Sequence, residues 1–314
     1  MRAMQYLAYG GPERLALRTP DTPRPSPTQL LVRVHASSVN PLDWKLHNGT
    51  YRWVVPVHFP SIPGFDVAGE VVEVGIEVTR FKPGDRVFAM LDSRTGGACA
   101  EYAVIGESAA ARMPDSLDVH EAAAVPLAGL TALQALRDLG RVAAGQHVLV
   151  VGGSGGVGHF AVQIARAFDA RVTAVCSTPH VEMVRGLGAD RVIDYRMQRD
   201  FGAAEIYDLI FDTVGSAPVR AFLPFLTKRG VVVSTLPSVG RIAAAVLMPL
   251  YSRRRVRIVA VEPRGKDLEK LSILCAEGKL RPVIDRVVPL EDLAAAHQYS
   301  QAGRTSGKVV ITVS

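Results

Sequence analysis

Little in this chain could form a disulfide or a thiolate metal site. Its 314 residues hold three cysteines, Cys99, Cys176 and Cys275, far apart and without a C-x-x-C pair. That spacing indicates neither a disulfide framework nor a thiolate zinc site, and it fits a reducing cytoplasm. Long apolar runs are also missing. The longest, IAAAVLMPLY at 242–251, is too short to span a bilayer and reads as a core or interface helix broken near Pro249. The opening stretch, MRAMQYLAYGGPERL, lacks the apolar segment of a signal peptide, so a cytoplasmic protein with no membrane partner is expected. Charge of one sign is not concentrated: 36 basic against 30 acidic residues give +6, and apart from Arg253, Arg254 and Arg255 the arginines are scattered. A nucleic-acid partner would call for a basic stripe with interleaved aromatics, and none is expected. The Arg253–Arg255 run reads as a solvated loop or as a patch beside an anionic ligand.

What is present falls into two textures. Up to about residue 115 the chain is punctuated by Pro and Gly and carries short strand-like runs at 30–39, 67–75, 85–90 and 99–104. This predicts an irregular β-rich lobe. From about 118 an alanine- and leucine-rich helical stretch begins, and then strand and helix signals alternate. HVLVV (147–151), RVTAV (171–175), RVIDY (191–195), DLIFDTVG (208–215), GVVVST (230–235) and VRIVAV (256–261) recur about every twenty residues. Several are apolar throughout, as parallel strands covered on both faces must be. Six such strands with helices between them predict a doubly wound α/β sheet. The last fifty residues carry no further βα repeat and are too few for a separate domain. They are expected to return to the first lobe, giving 1–118 with 262–314 as one domain and 119–261 as the other.

The sharpest local signal is GGSGGVG at 152–158, five glycines in seven residues between an apolar strand and the helix-like HFAVQIARAF. Glycine in either element costs about 1 kcal/mol relative to alanine, so such a cluster marks a close approach to the backbone. Gly153, Ser154, Gly155, Gly156, Val157 and Gly158 satisfy G-x-G-x-x-G in the strand–turn–helix context that a dinucleotide requires. The first glycine is expected to permit the turn, the second to admit the pyrophosphate, and the third to let helix and strand pack closely. The helix N-terminus supplies free N–H groups and partial positive charge. About twenty positions on, NAD sites usually carry an acidic residue, whereas Cys176, Ser177 and Thr178 stand here. With His180, Arg185 and Arg196 nearby, NADPH is favoured and NADH remains possible. Ser177 and Thr178 would also suit the cap of a helix opening at Pro179.

Further stretches, SSVNPLDWKLHNGTY, PGFDVAGEVVEVG, FKPGDRVFA, AEYAV, AAAVPLAGLTALQAL, LGADRVIDY, FDTVG and the terminal GKVVI, extend almost end to end. Together with the glycine loop they resemble the medium-chain dehydrogenase/reductase superfamily, and more narrowly its zinc-free quinone oxidoreductase branch, which is zeta-crystallin-like. The resemblance implies a GroES-like β-rich domain beside a Rossmann domain. The superfamily's zinc enzymes hold their metal with Cys, His and Cys. Here Asn40, Phe65 and Leu127 stand at those positions, with Asp66 beside Phe65, and the four-cysteine structural zinc lobe is absent. None of the three replaces a thiolate or imidazole, so no metal is expected. The implied reaction is hydride transfer from NADPH to a quinone or an α,β-unsaturated carbonyl. An enoyl-thioester reductase of the same superfamily, and a non-catalytic NADPH-binding sensor or RNA-binding protein, are the alternatives.

By the same resemblance Asn40, Asp43 and Tyr51 are the catalytic candidates, near the nicotinamide and substrate. Asn40 would hydrogen-bond the carbonyl or cofactor, and Tyr51 would serve as pocket wall or proton donor. As plain structure, Asn40-Pro41 would start a turn and Asp43 would cap a helix. For the cofactor the resemblance implies Thr131 at the nicotinamide end, Gly155, Gly156 and Val157 on the pyrophosphate, and Tyr195 near the adenosine phosphate. It further implies Val214 at a ribose, Thr235 and Leu236 at the carboxyl edge of the sheet, and Lys308 at the cleft, where it could equally be a solvated strand start. The last strand of the nucleotide domain, VRIVAV, has the character to pair with its twin, so a homodimer is expected.

Overall fold

The computed structural model describes residues 1–198, 205–215 and 217–313. Backbone contacts divide the chain into two units, Met1–Leu130 with Glu262–Ser314, and Thr131–Val261.

The first unit begins with β1 (Ala3–Tyr6) and β2 (Leu15–Arg18), followed by β3 (Gln29–Ser38), α1 (Pro41–His47) and β4 (Asp66–Val74). It continues through β5 (Arg86–Met90), β6 (Tyr102–Gly106), β7 (Ala110–Arg112), α2 (Val119–Ala124) and the start of α3 (Pro126–Gln134). The second unit carries β8 (His147–Val151), α4 (Gly158–Ala167), β9 (Arg171–Cys176), α5 (Val181–Gly186), β10 (Arg191–Asp194) and β11 (Tyr207–Asp212). It closes with α6 (Val219–Phe222), β12 (Leu226–Ser234), α7 (Val239–Leu247) and β13 (Arg255–Ile258). The chain then returns to the first unit with α8 (Gly265–Ala276), β14 (Ile284–Pro289), α9 (Leu293–Gln301) and β15 (Lys308–Thr312).

In the first unit a seven-stranded sheet runs β14-β15-β3-β4-β5-β7, with β6 also paired to β3. The C-terminal segment thus supplies two strands, because β15 pairs antiparallel with β3 through Val310 opposite Ser38. Residues 119–130, expected with the nucleotide domain, cluster instead with the first unit. The reason is packing: α2 lies on β3, β4 and β15. Its start is fixed by Asp118, whose carboxylate accepts from His120 and Glu121 N–H, while Glu121 reaches back to the Asp118 N–H.

The second unit is a six-stranded parallel sheet in the order β10-β9-β8-β11-β12-β13. Numbered from β8 this is 3-2-1-4-5-6, the doubly wound order with its switch point between β8 and β11. The apolar runs that predicted buried strands fill the centre: Val148, Leu149, Val150, Ile210, Phe211 and Val233 are fully buried. Strand ends moved by a few residues. The last strand is Arg255–Ile258 rather than 256–261, and Tyr195 falls just past the end of β10. The 242–251 run forms most of α7 and one tight turn, Met248–Leu250, around Pro249. Among the described residues no helix is long and apolar enough to cross a membrane.

Candidate active site

In the second unit the glycine loop joins β8 to α4. The turn falls one residue earlier than the motif suggested: Gly152, not Gly153, has the left-handed backbone, with φ +87°. A side chain there would also strike Val214 Cγ2 at 2.3 Å. Gly153 serves packing, since a Cβ would come within 3.0 Å of the Ala174 Cβ. Gly158 does the same more strictly: its Cβ would lie 1.9 Å from the Gly152 carbonyl oxygen. Gly155 differs. The nearest atom to a Cβ placed there is 3.4 Å away, so nothing within the fold demands a glycine. Val157 caps α4 without a side-chain hydrogen bond; the His159 N–H donates to the Gly155 carbonyl at 3.1 Å, and the helix start still turns its partial positive charge toward the loop. A glycine loop opening onto a helix N-terminus is chemically compatible with a dinucleotide pyrophosphate.

The other cofactor candidates of this unit gather along the carboxyl edge of the sheet. Register pairs Val151 with Val175, Asp212 with Val151 and Ser234 with Asp212, so the strands end level. Ser177 and Thr178 follow β9, Tyr195 follows β10, Val214 follows β11, and Thr235 and Leu236 follow β12. Tyr195 and Val214 are more than half exposed. A buried ion pair holds the β11 end. Arg241 donates to Asp212 Oδ2 at 2.8 Å and to the Ala217 carbonyl, while Asp212 Oδ1 accepts the Gly215 N–H at 2.8 Å. The Thr235 hydroxyl donates to the Thr213 carbonyl.

Two details bear on the nucleotide. Ser177 precedes the turn Thr178–His180, yet its side chain makes no capping bond. And a carboxylate that the chain position did not reveal stands beside it. Asp194 ends β10 in register with Cys176, and the Thr178 hydroxyl, together with the Arg196 N–H, holds its pKa below the usual carboxylate range. Arg185 is drawn off by Glu182. Thr131, the first residue of this unit, is buried on α3.

In the first unit Asn40, Asp43 and Lys308 come together in a buried polar cluster with Asp66 and Ser38. Asp66, the first residue of β4, is its hub. Its Oδ2 accepts from Asn40 Nδ2 at 2.7 Å, from the Ser38 hydroxyl and from Lys308 Nζ at 3.3 Å. Its Oδ1 accepts the Leu127 N–H at 2.7 Å. Lys308 also donates to Asn40 Oδ1 at 2.6 Å and to the Val39 carbonyl. It is 2% exposed, so it is not a solvated strand start. Both atoms of the Asn40 amide are engaged within the cluster. Asn40, not Asp43, caps α1, and Asp43 accepts the Asn40 N–H at 2.7 Å. Burial pushes the Asp43 carboxyl up to about 8, so it is largely protonated at neutral pH. Tyr51 stands apart, half-buried in the turn after α1. Sequence reasoning missed Asp66 as an organiser. Its only signal was an acid beside Phe65 at the start of a strand.

Behind α1 lies a second buried group. His47 donates from Nδ1 to the Asp43 carbonyl at 2.6 Å, accepts from Ser61 and stacks on Tyr6 with ring centroids 4.4 Å apart. The Tyr6 hydroxyl is 3.0 Å from His297 Nδ1, and burial lowers His297 to about 3. These histidines are neutral packing elements.

Comparison with known proteins places this arrangement. Residues 26–115 match the alcohol dehydrogenase GroES-like domain, and residues 187–311 match a domain described as zinc-binding dehydrogenase. The chain is 38% identical to the chloroplast envelope quinone oxidoreductase homolog of Arabidopsis thaliana, over 99% of this chain and 98% of the relative. It is 35% identical to the 2-methylene-furan-3-one reductase of Solanum lycopersicum, over 99% of this chain and 79% of that protein. The solved structure of Escherichia coli quinone oxidoreductase complexed with NADPH superposes with a TM-score of 0.86 at 25% identity, covering 100% of both chains. The chain belongs to the medium-chain dehydrogenase/reductase superfamily, in its quinone oxidoreductase branch. It is an oxidoreductase of GroES-like plus Rossmann architecture.

The matched dehydrogenase domain is named for zinc, and the residues here do not fit that metal. At the three positions that the resemblance assigns to the zinc ligands stand Asn40, Phe65 and Leu127, and a lysine ammonium sits 2.6 Å from the Asn40 oxygen. Among the described residues no group of three His, Cys, Asp or Glu is spaced to hold a metal ion.

Proposed function

We propose that this oxidoreductase transfers hydride from NADPH to a quinone or another α,β-unsaturated carbonyl, without zinc. The observation that carries the reading is the Asp66–Lys308–Asn40 cluster. It fills the family's ligand positions with a cation that is covalently part of the chain and with no thiolate or imidazole. When bound, the nicotinamide dinucleotide supplies the hydride, and a conjugated acceptor needs little polarisation because the incoming charge delocalises.

The chain's own residues then bind, orient and position. Gly155, Gly156 and Val157 take the pyrophosphate, with Ser154 beside them. Ser177, Thr178 and Tyr195 face the adenosine phosphate, while Val214, Thr235, Leu236 and Thr131 take the nicotinamide half. NADPH is the favoured form because the Ser177 hydroxyl is left uncapped and Arg196 is exposed at the same strand end. Asp194 is the feature that leaves NADH open. In the first unit Asn40, Asp43 and Lys308 position one another, and Tyr51 is the candidate to touch the acceptor. The exposed edge of β13 supports a homodimer, since Arg255 folds back onto the Ser252 and Arg254 carbonyls and leaves Arg257 as the exposed guanidinium on that strand. Three buried free cysteines suit a reducing compartment, and the cytoplasm is the proposed location.

Stopped-flow oxidation of NADPH with 9,10-phenanthrenequinone, with crotonyl-CoA and with buffer alone tests the reading, alongside zinc analysis of the purified chain. Turnover with the quinone in metal-free protein is expected. Preference for the thioester would make it an enoyl-thioester reductase, NADPH uptake without turnover a sensor, and a required zinc would overturn the proposal.

A further inference from the structure

Arg241 sits where a helix least accommodates it. It lies in the first turn of α7, and the Ser238 hydroxyl accepts its N–H at 3.3 Å. The start of a helix carries partial positive charge, which favours an acid there and opposes a guanidinium. Arg241 is also only 8% exposed, and Asp212 is fully buried, so both charges carry a large desolvation cost. An apolar pair of similar volume would serve stability as well or better. A local rule broken in this way points to a function, and the contacts of the pair supply one.

Each carboxylate oxygen of Asp212 has its own task. Oδ1 accepts from the N–H groups of Gly215 at 2.8 Å and Val214 at 3.2 Å. Oδ2 accepts from Arg241 Nη2, which also donates to the Ala217 carbonyl at 2.9 Å. One guanidinium thus clasps the turn after β11 at Asp212 and at Ala217. Toward β8 the same turn is bonded through Thr213, which donates to the Val151 carbonyl from its N–H at 3.2 Å and from its hydroxyl at 2.8 Å. Val214 is left against the glycine loop, where a Cβ at Gly152 would lie 2.3 Å from its Cγ2. It is 53% exposed at the switch point between β8 and β11, where the ligands of such sheets bind. Gly215 lies under Leu236, since a Cβ there would come within 2.7 Å of Leu236 Cδ1 and 3.5 Å of Arg241 Nη1.

We infer, on the dinucleotide site proposed above, that Arg241 is a positioning residue for the cofactor: through Asp212 and the Ala217 carbonyl it holds Val214 and Gly215 in place beside the glycine loop. A turn fixed before binding has little freedom left to lose when the cofactor arrives, and affinity gains by the entropy so saved. Asp212 alone would hold Val214 and Gly215 but leave its own carboxylate free to turn, and nothing would tie it to Ala217. The guanidinium supplies both restraints, because its planar fork reaches two acceptors from one fixed position.

Fluorescence titration of NADPH, thermal melts and steady-state kinetics with 9,10-phenanthrenequinone test this on variants of the full chain. Arg241→Met leaves the Asp212 carboxylate buried without its cation and should lower the melt. The double variant Asp212→Asn/Arg241→Met removes both charges and should recover the melt, since a neutral replacement of a buried pair is often no less stable. Both should bind NADPH at least about tenfold more weakly, the factor for one charge-assisted hydrogen bond, with the quinone KM at saturating NADPH unchanged. Arg241→Lys keeps the charge but reaches one acceptor rather than two, so its NADPH affinity should fall between those of Arg241→Met and wild type. Wild-type NADPH affinity in the double variant overturns the inference. So does an affinity that follows the melting temperature across the three variants, or a quinone KM that rises together with the NADPH dissociation constant. A wild-type chain that takes up no dinucleotide refutes the proposed function and this inference with it, whereas normal uptake by the wild type beside an unaffected double variant overturns this inference alone.

Discussion

Alanine at Gly155 and at Gly158 should separate a glycine kept for a ligand from one kept for the fold. At Gly158 the new Cβ would sit 1.9 Å from the Gly152 oxygen, 2.7 Å from its carbonyl carbon and 2.9 Å from the Gly153 Cα. A carbon approaches a carbonyl oxygen to roughly 3.3 Å, so the loop must move by more than about 1 Å. Every obstacle is backbone, and no rotamer change can relieve it. Overpacking of this kind costs about 1–3 kcal/mol. At Gly155 the nearest atom is 3.4 Å away and the backbone is outside the left-handed region. Alanine there should leave stability unchanged or raise it by about 0.4–1 kcal/mol through the unfolded chain. The same methyl would stand where the pyrophosphate approaches, and a tenfold loss of NADPH affinity, about 1.4 kcal/mol, is the least expected. Urea unfolding followed by circular dichroism, paired with fluorescence titration of NADPH, reads both quantities. The reasoning is refuted by a Gly155→Ala protein that binds NADPH like wild type. It is equally refuted if that protein's urea midpoint drops as far as that of Gly158→Ala.

Other outcomes follow from the buried groups. Asp66→Ala should destabilise by about 3–5 kcal/mol in urea, as breaking a buried pair does. Lys308→Met should cost less, because the Asp66 carboxylate keeps Ser38, Asn40 and Leu127 as donors; the reverse ranking would count against Asp66 as the hub. Burial raises Asp43 to about 8 and lowers His297 to about 3. The folded state therefore holds the Asp43 proton after the unfolded chain has lost it above about pH 4, so this group's stabilisation falls as pH rises to 8. His297 works oppositely, adding stability as pH rises from about 3 to 6.5, so the two offset each other between about pH 4 and 6.5. From about 6.5 to 8 stability should then decline by up to about 2 kcal/mol, and Asp43→Asn should flatten that decline in urea midpoints measured across the range. Asp194→Asn should raise the ratio of NADPH to NADH affinity several-fold, because it removes the carboxylate beside Thr178; an unchanged ratio in parallel titrations would remove Asp194 from nucleotide choice.

The pattern of residues along the chain already carried the architecture. Continuous apolar runs such as HVLVV have one stable home, a strand covered on both faces, and five glycines before a helix have one economical use. The alternation of such runs therefore determined a doubly wound sheet, and the G-x-G-x-x-G context pointed to the loop proposed for a dinucleotide. The resemblance also led to the expectation of no zinc, since Asn40, Phe65 and Leu127 stand at the positions it assigns to the ligands. Tertiary structure decided whatever depends on residues far apart in the chain. Lys308 reads locally as the start of a terminal strand, and only the pairing of β15 with β3 carries its ammonium to Asn40 and Asp66, more than 240 residues away. Asp194 reads as the end of RVIDY until the parallel register sets it against Cys176 and Thr178. The apolar run of 242–251 reads as a core or interface helix by composition, and only the inward turn of Arg241 shows that its hydrophobic face looks out. Periodicity reports which residues share a face. Which face meets water is set by the partner that the rest of the fold provides.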